Sequence, residues 1–151
     1  MTTTTTLAEL PSLKGQELGT SSWVEVTQDR VNLFADATGD HQWIHIDVER
    51  AKAESPFGGP IAHGYLTLSL IIPMYSEVLT VSDAKMGVNY GLNKVRFPAP
   101  VPVGAKVRLT ATLKDVEEVA GGLQVTIAGV IEAEGGSKPV CIAEPVFRVY
   151  G

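Results

Sequence analysis

The residues best suited to chemistry crowd into one stretch, Gly39–Asp47 (GDHQWIHID), where Asp40, His41, Gln42, His45 and Asp47 are interleaved with Trp43, Ile44 and Ile46. Asp40 and His45 stand five residues apart. On a straight strand they point to opposite faces, and on a helix they diverge by about 140°. Only a bent segment lets them converge, and Gly39 just ahead of Asp40 supplies a residue that can make the bend. A carboxylate and an imidazole converging on one water form an acid–base pair, since either can take a proton while the other holds or gives one. The spacing equally allows a structural role, with Asp40 closing a helix end and His45 half-buried in a turn. It also allows a metal reading, because His41 and His45 have i, i+4 spacing and His63 or Asp40 could complete a ligand set. Zinc pairs at that spacing need a helix, and Gly39-Asp40 signals that the helix has ended, so no metal site is expected.

A second constellation is Gly58-Gly59-Pro60-Ile61-Ala62-His63-Gly64, which leads from a flexible loop into an apolar run. Free backbone N–H groups at a helix start can hold a developing oxyanion, and Gly64 lets a carbonyl approach closely. The same glycines also suit a plain turn. A third is Asn89–Pro98 (NYGLNKVRFP). There Lys94 and Arg96 share a strand face by period-two counting, either to meet phosphates or as solvated edge charges. Cys141, the single cysteine, sits in a strand pattern without a neighbouring His and reads as packing. The chain contains no Gly-rich nucleotide loop and no Gly-x-Ser-x-Gly elbow.

The elements that must position these groups fall into two halves. Thr2–Thr6 reads as a mobile tail, within a flexible stretch over residues 1–10. Ser22–Val26 reads as a short strand. A helix then starts with Thr27 as cap and Asp29 in its first turn. Val31, Phe34, Ala35 and Thr38 fall on one face, and Gly39 suits the left-handed terminus. Residues 40–47 read as a turn or irregular segment, after which Asp47 can cap a short helix over 48–53. A helix from His63–Gly64 to about Glu77 is apolar nearly all round and is expected to be buried on most sides, with Pro73 kinking or tightening its last turns. The second half predicts four long strands rich in Val, Ile and Thr, at 85–97, 106–118, 123–134 and 138–150. Gly121-Gly122 and Gly135-Gly136 serve as hairpin turns between the last three. Segregated helices and strands give α+β with a mostly antiparallel sheet, and one apolar helix beside a long sheet suggests that the sheet wraps around it.

A length of 151 residues suits a single domain spanning 1–151. With 44% hydrophobic and 19% charged residues the composition is that of a globular protein. A net charge of -5 argues against nucleic acid as the main partner, while leaving room for a small anionic ligand. No disulfide can form within the chain, the start is not a signal peptide, and the longest apolar stretch falls short of the about 20 residues that span a bilayer. No membrane partner and a cytoplasmic location are therefore expected.

Three motifs in order, GDHQWIHID at 39–47, FGGPIAHGYLTLSL at 57–70 and NYGLNKVRFPAPVPVG at 89–104, resemble the MaoC-like, (R)-specific enoyl-CoA hydratase and 3-hydroxyacyl-thioester dehydratase family, closest to its nodulation-protein-N-like branch. The resemblance covers roughly residues 22–150. It implies a hot-dog fold, a long antiparallel sheet wrapped around a central buried helix, and a homodimer. It implies (R)-specific hydration of 2-enoyl thioesters or the reverse dehydration, with Asp40 as base, His45 as water holder and the N–H of Gly64 as oxyanion donor. The partner is then an acyl-CoA or acyl-carrier-protein thioester, with no separate cofactor. Gln42, Trp43, His63, Tyr65, Asn89, Asn93, Lys94 and Arg96 are expected along the substrate path. The family's hydratase motif is commonly Asp-x-Asn-Pro-x-His-x-Asp; Gln42 and Trp43 replace its Asn and Pro. Some members carry a helix serine where Ile72 stands here, with Ser69 as a substitute one turn earlier. A hot-dog thioesterase would place a carboxylate on the central helix, and Tyr65–Met74 has none. A non-catalytic acyl-thioester-binding subunit would lose the Asp/His pair, which this chain keeps.

Overall fold

A computed structural model describes residues 2–151. The chain runs through β1 (Thr3–Thr5), a 3-10 turn at Leu10–Leu13, β2 (Glu17–Thr20), β3 (Val24–Glu25), α1 (Gln28–Thr38), α2 (Trp43–Ile46), α3 (Val48–Glu54), α4 (Gly64–Ser69), α5 (Ile71–Val78), β4 (Leu79–Val81), β5 (Met86–Arg96), β6 (Lys106–Val119), β7 (Gly122–Ala133) and β8 (Pro139–Tyr150). The main sheet has the order β2-β6-β7-β8-β5, with β3 also paired to β6. Every pairing within it is antiparallel.

The four long strands fall within one residue of their predicted ends. In β6, Val107, Leu109, Ala111 and Leu113 are buried at every second position, and in β7 Leu123, Val125 and Ile127 repeat the pattern. This period-two face packs on Leu66 of α4, Leu70 at the junction, and Ile71, Met74 and Val78 of α5 within one hydrophobic core. Register shifts at Leu113/Asp115 in β6 and Ile131/Glu132 in β7–β8 bend the sheet around those helices.

Three expectations change. Thr2–Thr6 is no tail: Thr3–Thr5 pair in parallel with Leu79–Val81, Thr5 is buried, and Leu10 is fully enclosed. β-branched threonines suit a strand once β4 offers an edge to pair with. Met1 lies outside the described residues. Second, the apolar run is two helices rather than one, broken at Leu70. Pro73 has no N–H for the carbonyl of Ser69, so the interruption falls ahead of the proline, not in the last turns. Third, these helices are not buried on most sides: Tyr65 is 71% exposed and Ile72 41% exposed. They face β5, which is open along nearly its whole length at the sheet edge.

Candidate active site

Thr27 caps α1 by accepting from the N–H of Arg30 at 3.1 Å. Gly39 ends the helix in the left-handed region at φ 82°, its N–H bonded to Ala35. That reversal turns Asp40 back toward the molecule. Gln42 is extended, and the chain then makes a single helical turn, α2, in what the sequence presents as irregular. The turn swings His45 inward, and Asp47 caps α3 through the N–H of Arg50. The five-residue separation is thus bridged by a glycine reversal followed by one helical turn.

The carboxylate of Asp40 and the ring nitrogens of His45 and His63 lie within 4.8 Å of one another. With Gly64, Tyr65 and Phe97 they line an open pocket of about 280 Å³. His45 is buried, and its Nδ1 sits 2.6 Å from the carbonyl of Ile61. A carbonyl can only accept, so Nδ1 carries the hydrogen and Nε2 is left to the pocket. Burial holds the His45 imidazole below its ordinary pKa, and His63 adds to this, against the opposing Ile61 bond and the Asp40 charge. The Nε2 atom therefore stays available as an acceptor at neutral pH. Asp40 is exposed, with one long contact at 3.4 Å from the N–H of Gln42.

α4 begins at Gly64, and the side chain of His63 at its N-cap makes no capping bond among the described residues. Among the described residues no protein group takes the N–H of Gly64, so it is free for a ligand oxygen. A Cβ at Gly64 would stand 3.2 Å from the ring of Phe97, so the glycine lets that ring close over the helix start. Phe97 was not singled out by sequence reasoning. Its position directly before Pro98 at a strand end was the available signal, but only tertiary contact makes it a wall.

The remaining expected residues are spread elsewhere. Gln42 points its backbone, not its side chain, at Asp40, and the Trp43 ring lies against the guanidinium of Arg50 at 4.3 Å, outside the pocket. Asn89 lines a separate apolar groove of about 370 Å³ with Ser69, Ile72 and Phe147. Asn93, Lys94 and Arg96 are exposed on β5 and line neither. Register shifts at Asn89/Gly91 and Leu92/Val95 interrupt period-two counting there. The Ser69 hydroxyl donates to the carbonyl of Tyr65 at 2.7 Å, which engages the hydrogen a substitute serine would offer.

The His41 and His45 metal pairing does not form. His41 turns outward to Asp36 at 3.0 Å, and that bond raises its pKa. His45 and His63 stack at 3.9 Å with planes 26° apart. Rings so nearly parallel cannot both hold, in plane, one ion at the ~2.1 Å of a metal–imidazole bond. Burial pushes the Cys141 thiol up to about 11, as suits a packing residue.

The pattern of the MaoC-like domain matches residues 9–135. The 3-hydroxyacyl-thioester dehydratase Z of Mycobacterium tuberculosis is 52% identical, over 98% of both chains. Nodulation protein N of Rhizobium leguminosarum is 48% identical over 91% of this chain and 86% of its own. An (R)-hydratase from A. caviae superposes with a TM-score of 0.72 at 24% identity, covering 89% of this chain and 94% of that one. Sheet, helices and likeness agree on the hot-dog architecture. With its three motifs folded around one pocket and most of its length matched, this chain belongs to the MaoC-like family, on the branch that includes nodulation protein N.

Proposed function

We propose that this pocket adds water to a 2-enoyl thioester with (R) specificity, or removes it from a 3-hydroxyacyl thioester. The carrying observation is that the Asp40 carboxylate and His45 imidazole lie within 4.8 Å, beside the free N–H that opens α4. Membership in the family makes the chain a hydro-lyase. In hydration, a water would donate one hydrogen to Asp40 and the other to Nε2 of His45. As its oxygen attacks C3, Asp40 takes the proton. The enolate oxygen is held by the N–H of Gly64, and C2 is protonated from the Asp40–His45 pair, which returns to its starting state. Such oxyanion donors are worth about 3–4 kcal/mol. The thioester itself acidifies C2, so the step is written without metal or organic cofactor.

The substrate is an acyl-CoA or acyl-carrier-protein thioester, which present the same phosphopantetheine arm. A homodimer is part of this reading. β5 leaves Met86, Val88, Tyr90 and Leu92 exposed on a sheet edge beside Tyr65 and Ile72, an apolar edge that a second copy would cover. Light scattering giving the mass of one chain would remove the dimer. The function is tested by loss of enoyl absorbance on hydration of crotonyl-CoA, with Asp40→Asn and His45→Gln as controls. Near-wild-type turnover in either folded variant would sink the assignment. Release of free thiol would instead indicate a thioesterase, and binding without an absorbance change a non-catalytic subunit.

A further inference from the structure

His63 touches every part of the pocket machinery yet offers little to a ligand. It is only 2% exposed. Its Nε2 lies 3.0 Å from the backbone carbonyl of Asp40, 23 residues away in sequence. Because the carbonyl can only accept, Nε2 is the donor. One face of the ring stacks on His45 at 3.9 Å, and Phe34 of α1 packs near it at 4.9 Å. Its Nδ1 is buried without a hydrogen-bond partner among the described residues. A buried ring with an orphaned nitrogen is costly, so it requires compensation from the contacts it makes. Those contacts join three separate stretches: the end of α1, the turn of α2, and the start of α4.

We infer that His63 is a positioning residue, which clamps the main chain of Asp40 and the ring of His45 so that carboxylate and imidazole reach the same water. The inference rests on the hydratase reading above and assigns His63 to alignment rather than to substrate contact. Without the Nε2–H bond, the atoms of Asp40 keep, among the described residues, only the long Thr38 and Gln42 contacts, each 3.4 Å, with the next residue, His41, tied outward to Asp36 at 3.0 Å. Without the stacked ring, His45 is anchored by Nδ1 alone and its Nε2 can sweep through the pocket. A shift of about 1 Å in one reacting group can cost about 100-fold in rate.

The groups facing His45 are few. Asp40 approaches from the end of α1, His63 and Tyr65 from the start of α4, and Phe97 from the end of β5. Gln28 of α1 donates to the His45 carbonyl and does not titrate. Replacing His63 removes one of the two titratable neighbours that act on the His45 charge.

The test compares the full-length protein with His63→Phe, which keeps a ring and loses the donor, and His63→Gln, which keeps an amide N–H near Nε2. Crotonyl-CoA hydration is followed over pH, together with an NMR titration of His45. For His63→Phe, kcat falls about 100-fold with KM within about threefold. His63→Gln recovers about tenfold of the lost kcat. A folded His63→Phe with wild-type kcat, or a loss carried by KM, overturns the inference. Wild-type protein without turnover sinks the hydratase reading instead. The clamp then stands if the NMR signals of the Asp40 backbone and the His45 ring move in His63→Phe and move back in His63→Gln, and falls if they do not. If His63→Phe does not fold, His63→Gln decides: a kcat about tenfold below wild type supports the clamp, and an unchanged kcat overturns it.

Discussion

Strands β6 and β7 hold their place by enclosing Leu109, Leu113, Ile127 and Ile131 completely, with backbone groups paired in long ladders. The pocket end encloses His45 and His63 instead, and ties each to a carbonyl from a distant stretch, Ile61 and Asp40. In the sheet, stability comes from apolar area and tolerates small shifts in any one group. In the pocket, few contacts serve packing alone, and the position of single atoms decides what the region can do. Substitutions in the two regions should therefore separate cleanly into losses of stability and losses of turnover.

Asp40→Asn carries the largest expected effect, about 10²- to 10⁴-fold in kcat. Its side chain is exposed, so the urea midpoint should move little; a large drop in midpoint would erase the contrast. Ile127→Ala is the opposite case. Creating a cavity in the closed sheet should cost about 2–5 kcal/mol by urea unfolding, with kcat per folded molecule within about twofold. A turnover loss matching Asp40→Asn would mean that sheet packing, not the pocket contacts, sets the catalytic geometry.

A milder effect follows from His45. Its folded pKa lies below the ordinary value, so Nε2 keeps its lone pair until the pH is below about 6.5, and the acid limb of kcat/KM should fall below that point. The unfolded chain protonates first as pH drops. Stability contributed by His45 is therefore fully present above about 6.5 and declines as pH falls toward the folded pKa. An acid limb above 6.5 that is absent in His45→Gln would contradict the buried, carbonyl-bonded state. Thr27→Ala, which removes the cap of α1, should cost about 1 kcal/mol. Lys114→Ala, which removes a half-exposed ion pair to Glu144 on the outer sheet face, should cost less than about 1 kcal/mol. Thermal unfolding checks both, and a reversed ranking would show that surface charge rather than helix capping steadies the frame around the pocket.

The local elements are legible in the amino-acid order. The Thr27 cap, the Gly39 stop, the Asp47 cap and the four alternating strands are readable because each is set by residues within a few positions of one another. The resemblance carried by GDHQWIHID and FGGPIAHGYLTLSL pointed to Asp40, His45 and Gly64 together, where spacing alone left a structural role for the pair open. The tertiary structure decided what depends on distant partners. β4 turned the threonine run into a strand, and Asp36 took His41 away from His45. Phe97 became a wall only because β5 ends over Gly64. His63, expected on the substrate path, is buried where Asp40, His45 and Phe34 meet around it. Local rules govern caps, turns and alternation; a side chain's hydrogen-bond partners across 20 or more residues are set by how the whole sheet closes on its helices.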